Sequence, residues 1–396
     1  MLRINFSFIA GICLSCACFA QDDLLKQKQD EAFELIFTNQ AKAILVIDSL
    51  IVAHKDNQGF KQAKNYSNKG VYYGVQNELD SAAYYFNKGL EIIPRENSFY
   101  PKLANNLAIT YKKKGSYQKA LSTLLEVLEV ARSTNNLDAL QKIYSEMSSS
   151  YRALNNYNLA VEYSLKSIET ENKKENPDPK SIAFEKQKTA NLYGLLSNYG
   201  FAEKIYEEII DYFNESPYKD AKISTYLNYA NALIKLNKSD EAISYIDKAE
   251  AALKDFDNNE LYAFLKLTEA NYYVATNQDE KAITCYEKSL ASFDQHQDNY
   301  LKTANEYLEF LSNNNSFNEI VKLSESIEIK DLEKFGILDL IQYKNYVGNA
   351  YYALAQYDNS TKYYKATIAL KDSLQKLDNY QIAKDLQAKY QNEIIE

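Results

Sequence analysis

The stretch LAITYKKKGSYQKA, residues 107–120, contains the pattern that decides the fold. A small residue, Ala108, is followed three positions later by Tyr111, then by a polar Gly-Ser turn and by a second small residue, Ala120. Spacings of three and four residues place such side chains on one face of an α-helix. Because small residues let two helices approach closely, the stretch predicts a pair of antiparallel helices joined by a short turn.

This pattern recurs along the whole chain with a period near 40 residues. The small position of the second helix repeats at intervals of 38–42 residues, at Ala82, Ala120, Ala160, Ala202, Ala242, Ala282, Ile320 and Ser360. The small position of the first helix is held by Gly70, Ala108, Ser148, Ala190, Ala230, Ala270 and Gly348. A fixed period of this length is typical of arrays in which each helix pair packs only against its neighbours. The sequence therefore predicts an all-α solenoid of about eight helix hairpins.

The turns between the paired helices are rich in Asn, Ser and Gly. We expect their side chains to cap the second helix by accepting backbone N–H groups. Two of them predict a capping box, Asn277 with Glu280 and Ser316 with Glu319.

Composition and charge agree with this fold and limit the function. The 396 residues include only 10 Gly and 5 Pro, which favours long helices over a many-stranded β protein. The formal net charge of −9 would repel a phosphate backbone, so we predict no nucleic-acid binding.

The repeat resembles the tetratricopeptide repeat family. The closest matches are residues 107–120 and the stretch from Ala270-Asn271-Tyr272-Tyr273 to Asp279-Glu280-Lys281-Ala282. The resemblance extends over roughly residues 60–370 and implies a right-handed α-α superhelix whose first helices line a concave groove. The period is longer than is usual for the family, and Ile320 stands where the family has alanine, which puts the packing at that repeat in question.

The N-terminus has the layout of a secretory signal. Arg3 precedes an apolar run over residues 6–14, and small residues then lead to Ala20. We predict a signal peptide at residues 1–20 that is cleaved after Ala20. The protein is then exported, and lies in the periplasm or cell envelope of a bacterium. Acylation of Cys16 or Cys18, which would make a lipoprotein, is the alternative.

The rest of the chain divides into three predicted segments. Residues 21–62 form an N-terminal helical cap or degenerate repeat, residues 63–370 the array, and residues 371–396 a C-terminal amphipathic helix. That last helix either caps the array or pairs with another chain, so residues 371–396 are our candidate for self-association. After cleavage no apolar stretch is long enough to span a membrane. The loop insertion at residues 172–180, with two prolines, suits an exposed turn.

The sequence contains no recognisable catalytic motif. The two histidines, His54 and His296, are far apart, and Cys285 has no histidine partner in the pattern. Phosphate-binding glycine loops and metal-binding motifs are missing. We therefore predict a protein that is not an enzyme and that uses no cofactor and no metal.

Amide side chains are the candidate binding residues. In the family that the repeat resembles, first helices line the groove, and an amide offers both a donor and an acceptor to the backbone of an extended peptide. The predicted groove residues are Asn106, Lys188, Asn191, Asn228, Asn231, Asn271, Asn305, Asn345 and Asn349. The alternative is that these amides only form hydrogen bonds between adjacent helices.

Two functional hypotheses follow. The first is an exported scaffold that binds a protein or peptide ligand in the groove. The second rests on the order of signal peptide, helical repeats and a final helix containing LQAKYQ, residues 386–391. That order resembles the extracytoplasmic region of bacterial sensor kinases and helix-turn-helix regulators. It implies a sensory module of a two-component or transcriptional signalling system, either truncated or stand-alone.

Overall fold

The structure is a computed structural model that describes residues 23–55, 59–293, 298–327 and 336–395. Within these ranges all regular secondary structure is helical, which confirms the predicted all-α repeat fold. The chain forms two compact units, Met1–Asn198 and Tyr199–Glu396. The predicted signal peptide and the cysteines within it lie outside the described residues, and the predicted segment boundaries stay predictions.

Unit 1 is a series of antiparallel helix hairpins. Its helices are α1 (23–38), α2 (Gln40–Ala53), α3 (Phe60–Val75), α4 (Leu79–Ile92), α5 (Tyr100–Lys113), α6 (Tyr117–Ser133), α7 (Leu137–Ala153), α8 (Tyr157–Asn172) and α9 (Pro179–Leu195). The hairpin of α1 and α2 has its own small core, around Ala32, Ile36 and Ile47, and packs against Val71 and Tyr72 of α3.

Unit 2 repeats the same arrangement. Its helices are α10 (Tyr199–Glu215), α11 (Lys219–Lys235), α12 (Ser239–Leu253), α13 (Asn259–Ala275), α14 (Asp279–Ser292), α15 (Asp298–Asn313), α16 (Phe317–Ser326), α17 (Ile337–Ala353) and α18 (Tyr357–Ile395). Helix α18 has 39 residues, whereas α11 and α17 have 17 each. Nothing is described of the side chains of residues 377–395, so the predicted apolar stripe of this helix stays a prediction.

The small positions form the contacts between helices, as predicted. All eight second-helix positions, from Ala82 to Ser360, have at most 2% of their surface exposed. Ile320 is fully buried within the core of its repeat, so the lost alanine is accommodated there. Where a small position is serine, its hydroxyl bonds the facing backbone: Ser148 donates to the carbonyl of Ala160 at 2.7 Å and Ser360 to that of Gly348 at 3.0 Å.

Asparagines in the turns between paired helices end the first helix, whereas we predicted that their side chains cap the second helix. Asn77, Asn277 and Asn315 adopt positive φ angles of 62°, 57° and 54°. They end the first helix in a Schellman motif, in which, for example, the N–H of Gln278 donates to the carbonyl of Tyr273 at 2.8 Å. Asparagine suits this position because its short polar side chain tolerates the left-handed region.

The two predicted capping boxes are therefore wrong. Gln278 rather than Asn277 is the N-cap of α14, and neither it nor Ser316, the N-cap of α16, makes a side-chain capping bond. Asn156 does cap as expected, since its side chain accepts from the N–H of Leu159 at 3.3 Å.

The last described hairpin turn offers a stability test. Ala355 adopts a φ of 57°, which strains a residue with a Cβ, whereas Gly115 holds the equivalent place between α5 and α6 at 72°. We expect Ala355→Gly to raise the free energy of unfolding by about 0.5–1 kcal/mol, because glycine relieves that strain. Gly115→Ala should lower it by about 1 kcal/mol. Thermal melting of both variants checks this, and a loss of stability in Ala355→Gly would contradict it.

The loop insertion is held by a residue that the sequence pattern did not single out. Glu171, at the end of α8, is buried. Its carboxylate accepts from the backbone N–H of Asp178 at 3.0 Å and pairs with Lys174 at 2.7 Å. Asp178 in turn caps α9 by accepting from the N–H of Lys180 at 3.1 Å.

Candidate functional site

Successive first helices of unit 2 are joined by a row of polar side chains. Asn231 on α11 donates from Nδ2 to Oγ1 of Thr268 on α13, at 3.0 Å. Asn271 on α13 donates from Nδ2 to Oδ1 of Asn231 at 3.4 Å and to Oε2 of Glu306 on α15 at 2.9 Å. We call these four residues, Thr268, Asn231, Asn271 and Glu306, the amide row.

Other candidate amides also bond to neighbouring helices. Asn271 and Asn349 accept at Oδ1 from the hydroxyls of Tyr286 and Tyr364, at 3.0 Å and 2.8 Å. Asn305 is buried and donates to the backbone carbonyl of Asp339 at 2.9 Å. These asparagines, together with Asn231, thus make the helix-to-helix bonds that the sequence left as the alternative to ligand binding. Whether any of them binds a ligand stays a prediction.

The remaining candidates differ in what they contact. Asn228 and Asn345 in unit 2 and Asn106 in unit 1 are half-buried, and among the described residues their side chains have no hydrogen-bond partner. Lys188 donates from Nζ to Ser145 Oγ and to Oε2 of the buried Glu185, both at 2.8 Å. Asn191 is half-buried on α9. An amide without an internal partner is the better candidate, because binding a ligand breaks no existing bond.

A small cleft opens between α11 and α13 beside one of these free amides. It has a volume of about 100 Å³ and is lined by Ser224, Leu227, Asn228, Asn231, Leu261, Phe264 and Thr268. An apolar cavity of about 150 Å³ holds a benzene molecule, so this cleft accepts a small aliphatic side chain. Apolar side chains together with a few polar groups are typical of the lining of a ligand-binding pocket.

A larger cleft of about 550 Å³ lies among α12, α13 and α14 and is lined mainly by charged side chains. In it Lys266 pairs with Glu269 at 2.7 Å, and the thiol of Cys285 donates to Glu269 at 3.5 Å. Burial, with the neighbouring charge of Glu269, raises the pKa of Cys285 to about 11. The thiol is therefore protonated at neutral pH and is a weak nucleophile.

Sequence reasoning missed three residues of this region, Phe264, Thr268 and Glu306. Thr268 stands two positions before Ala270, as Asn228 stands two before Ala230, so the register itself could have pointed to it. Glu306 likewise stands two positions before Leu308, which lies twelve residues before Ile320 and so occupies the small position of its helix.

Comparison with models of protein families agrees with the observed helix hairpins. Models described as tetratricopeptide repeats match residues 103–138, 141–174 and 223–252. The helix hairpins of these three segments are tetratricopeptide repeats. The matched segments take in α6 and α8 of unit 1 and the greater part of α11 and α12 in unit 2, so the cleft beside Asn228 is built partly from a matched repeat.

Two solved structures have a fold similar to that of the chain. The apo form of the quorum sensor NprR from B. thuringiensis is 16% identical, with a TM-score of 0.60 over 89% of this chain and 99% of that one. A Rap protein complexed with competence and sporulation factor is 12% identical, with a TM-score of 0.54 over 90% and 99%. At this identity the likeness concerns the fold alone. No curated protein sequence matches the chain.

None of the described helices is both long enough and apolar enough to cross a bilayer.

Proposed function

We propose that the protein is an exported scaffold that binds an extended segment of a protein or peptide on the first helices of unit 2. The observation that carries the proposal is the cleft between α11 and α13. Its apolar lining residues are Leu227, Leu261 and Phe264, and the amide of Asn228, which also lines it, has no partner among the described residues. The apolar residues contact an apolar side chain of the ligand, and the amide forms hydrogen bonds with the ligand backbone next to that side chain.

Two observations support a protein or peptide as the ligand: the match to tetratricopeptide repeats and the similarity to a solved structure with a bound factor. Tetratricopeptide repeats present rows of first helices, and the Rap protein that this chain resembles was solved with a bound factor. Export is supported by the charged, apolar and small-residue layout of residues 1–20.

The experiment is a selection of random 12-residue peptides on the purified protein, followed by fluorescence anisotropy of those selected. We expect Asn228→Ala to weaken their binding about tenfold, since one hydrogen bond to the peptide backbone is worth about 0.5–1.5 kcal/mol and a lost partner costs more. The control is Asn359→Ala, an exposed amide on the second helix α18.

A second variant fills the cleft. Ser224→Phe places a ring where the apolar side chain of the ligand would lie, and we expect it to abolish binding while the circular dichroism spectrum stays helical. Selected peptides that bind both Asn228→Ala and Ser224→Phe as tightly as the native protein would refute the site. A selection that yields no binding peptide would refute the proposed function.

A sensory role is the second candidate, favoured by the continuity of α18. The helix that begins as the second helix of the last hairpin continues without a break to Ile395. A conformational change in the last repeat would therefore be transmitted along one continuous helix, α18. Hydrogen exchange measured with and without a selected peptide separates the two roles, because a sensor changes the protection of α18 and a simple scaffold leaves it unchanged.

A further inference from the structure

Glu306, at the end of the amide row, carries a carboxyl group that forms no ion pair with any residue that the structure describes. It lies half-buried on α15, and among the described residues it has one hydrogen-bond partner, Asn271, and no ion pair. Comparable carboxylates of unit 2 are paired: Glu269 with Lys266 at 2.7 Å and Glu203 with Lys238 at 2.6 Å. Glu306 therefore differs from Glu269 and Glu203, which are each paired with a lysine.

The hydrogen bond from Asn271 does not compensate for the missing cation. Both Nδ2 hydrogens of Asn271 are used, one toward Asn231 and one toward Glu306, so this amide has nothing further to donate. A carboxylate withdrawn from water is costly unless a cation or several donors satisfy it. Burial accordingly raises the pKa of the Glu306 carboxyl, against the opposing effects of the Asn271 bond and the charge of Lys235.

The position of Glu306 relative to the cleft is equally informative. The amide row runs from Thr268 and Asn231, which line the cleft, through Asn271 to Glu306 on the next first helix. Oδ1 of Asn231 and Oε2 of Glu306 lie 3.4 Å and 2.9 Å from the same atom, Nδ2 of Asn271, so they are at most about 6 Å apart. An extended chain advances about 3.3 Å per residue. A peptide with an apolar side chain in the cleft therefore reaches Glu306 within about two or three residues.

We propose that Glu306 is a binding site for a cationic side chain of the ligand, a lysine or an arginine placed about two or three residues from the apolar residue in the cleft. This inference rests on the proposed function and adds the charge of the ligand to it. The cation of the ligand neutralises the carboxylate of Glu306, which forms no ion pair among the described residues. The neighbouring cleft supplies the apolar contact, so the two together select an extended segment of mixed character.

The test uses the peptides selected on the native protein, each synthesised with its lysine or arginine and again with norleucine in that place. Norleucine retains an aliphatic stem and lacks the charged ammonium or guanidinium group. Binding is measured by fluorescence anisotropy to three proteins: native, Glu306→Gln and Glu309→Gln. The Glu306→Gln side chain keeps an acceptor oxygen for Asn271, so we expect this variant to fold, and Glu309 is an exposed acid one turn further along α15.

We expect norleucine to weaken binding to the native protein about 10–100-fold, as is usual when one member of a shielded charge pair is removed. The same replacement should have almost no effect on binding to Glu306→Gln, and its full effect on binding to Glu309→Gln. Peptides that bind the native protein equally well with norleucine would overturn this inference while leaving the proposed function in place. So would a lysine preference that persists in Glu306→Gln. If no peptide binds at all, the proposed function fails and this inference fails with it.

Discussion

Replacing Phe86 with alanine is expected to lower the free energy of unfolding by about 3–5 kcal/mol, the usual cost of truncating a buried phenylalanine. The ring is 3% exposed and belongs to the core that joins the hairpins of unit 1. Its loss removes apolar contact and leaves a cavity between helices that are held only by their neighbours. Urea denaturation followed by circular dichroism measures the change.

The matched control lies two residues away on the same helix. Tyr84 is 53% exposed, and its ring contacts Lys88 and Tyr85 at the surface. We expect Tyr84→Ala to cost about 1 kcal/mol or less. Equal losses in the two variants would mean that α4 does not pack as described.

Two glycines on α3 should respond in opposite directions to the same substitution. A Cβ atom at Gly70 would lie 2.6 Å from Cε1 of Phe86, whereas one at Gly74 would have no atom within 4 Å. We expect Gly70→Ala to destabilise the protein by about 1–3 kcal/mol through overpacking. Gly74→Ala should stabilise it by up to about 1 kcal/mol, because alanine is the better helix former.

A double substitution identifies the cause of that difference. Phe86→Leu frees the space that the added methyl group needs, so Gly70→Ala should cost less in a Phe86→Leu background than alone. The quantity to measure is the interaction free energy from the four proteins by urea denaturation. An interaction energy near zero would show that Phe86 is not what excludes a side chain at position 70.

The repeat could be predicted because its determinants are local. Ala282 and Tyr286 lie four residues apart, so their common burial follows from helical geometry alone. The capping prediction failed for an equally local reason. Asn277 could cap the next helix or end the previous one, and the choice depends on a backbone φ that its type does not fix.

The site could be predicted only in part, because its contacts join different repeats. Asn231 and Asn271 are 40 residues apart in sequence, and no local pattern shows that one donates to the other. Asn228 has the same side chain and lies three residues before Asn231, yet it faces the cleft without a partner among the described residues. The sequence identified the residue type and the helix face but could not assign bonds between repeats.

The buried thiol of Cys285 has a practical use. It is 7% exposed on α14, and it is the single cysteine of the described residues. A thiol reagent modifies only the deprotonated group, and here it must wait until the segment around α14 transiently detaches. The labelling rate of Cys285 therefore measures local opening of the repeat that contains α14. No other probe has to be introduced. Slower labelling in the presence of a bound peptide would show that a ligand on the first helices reduces local opening around α14.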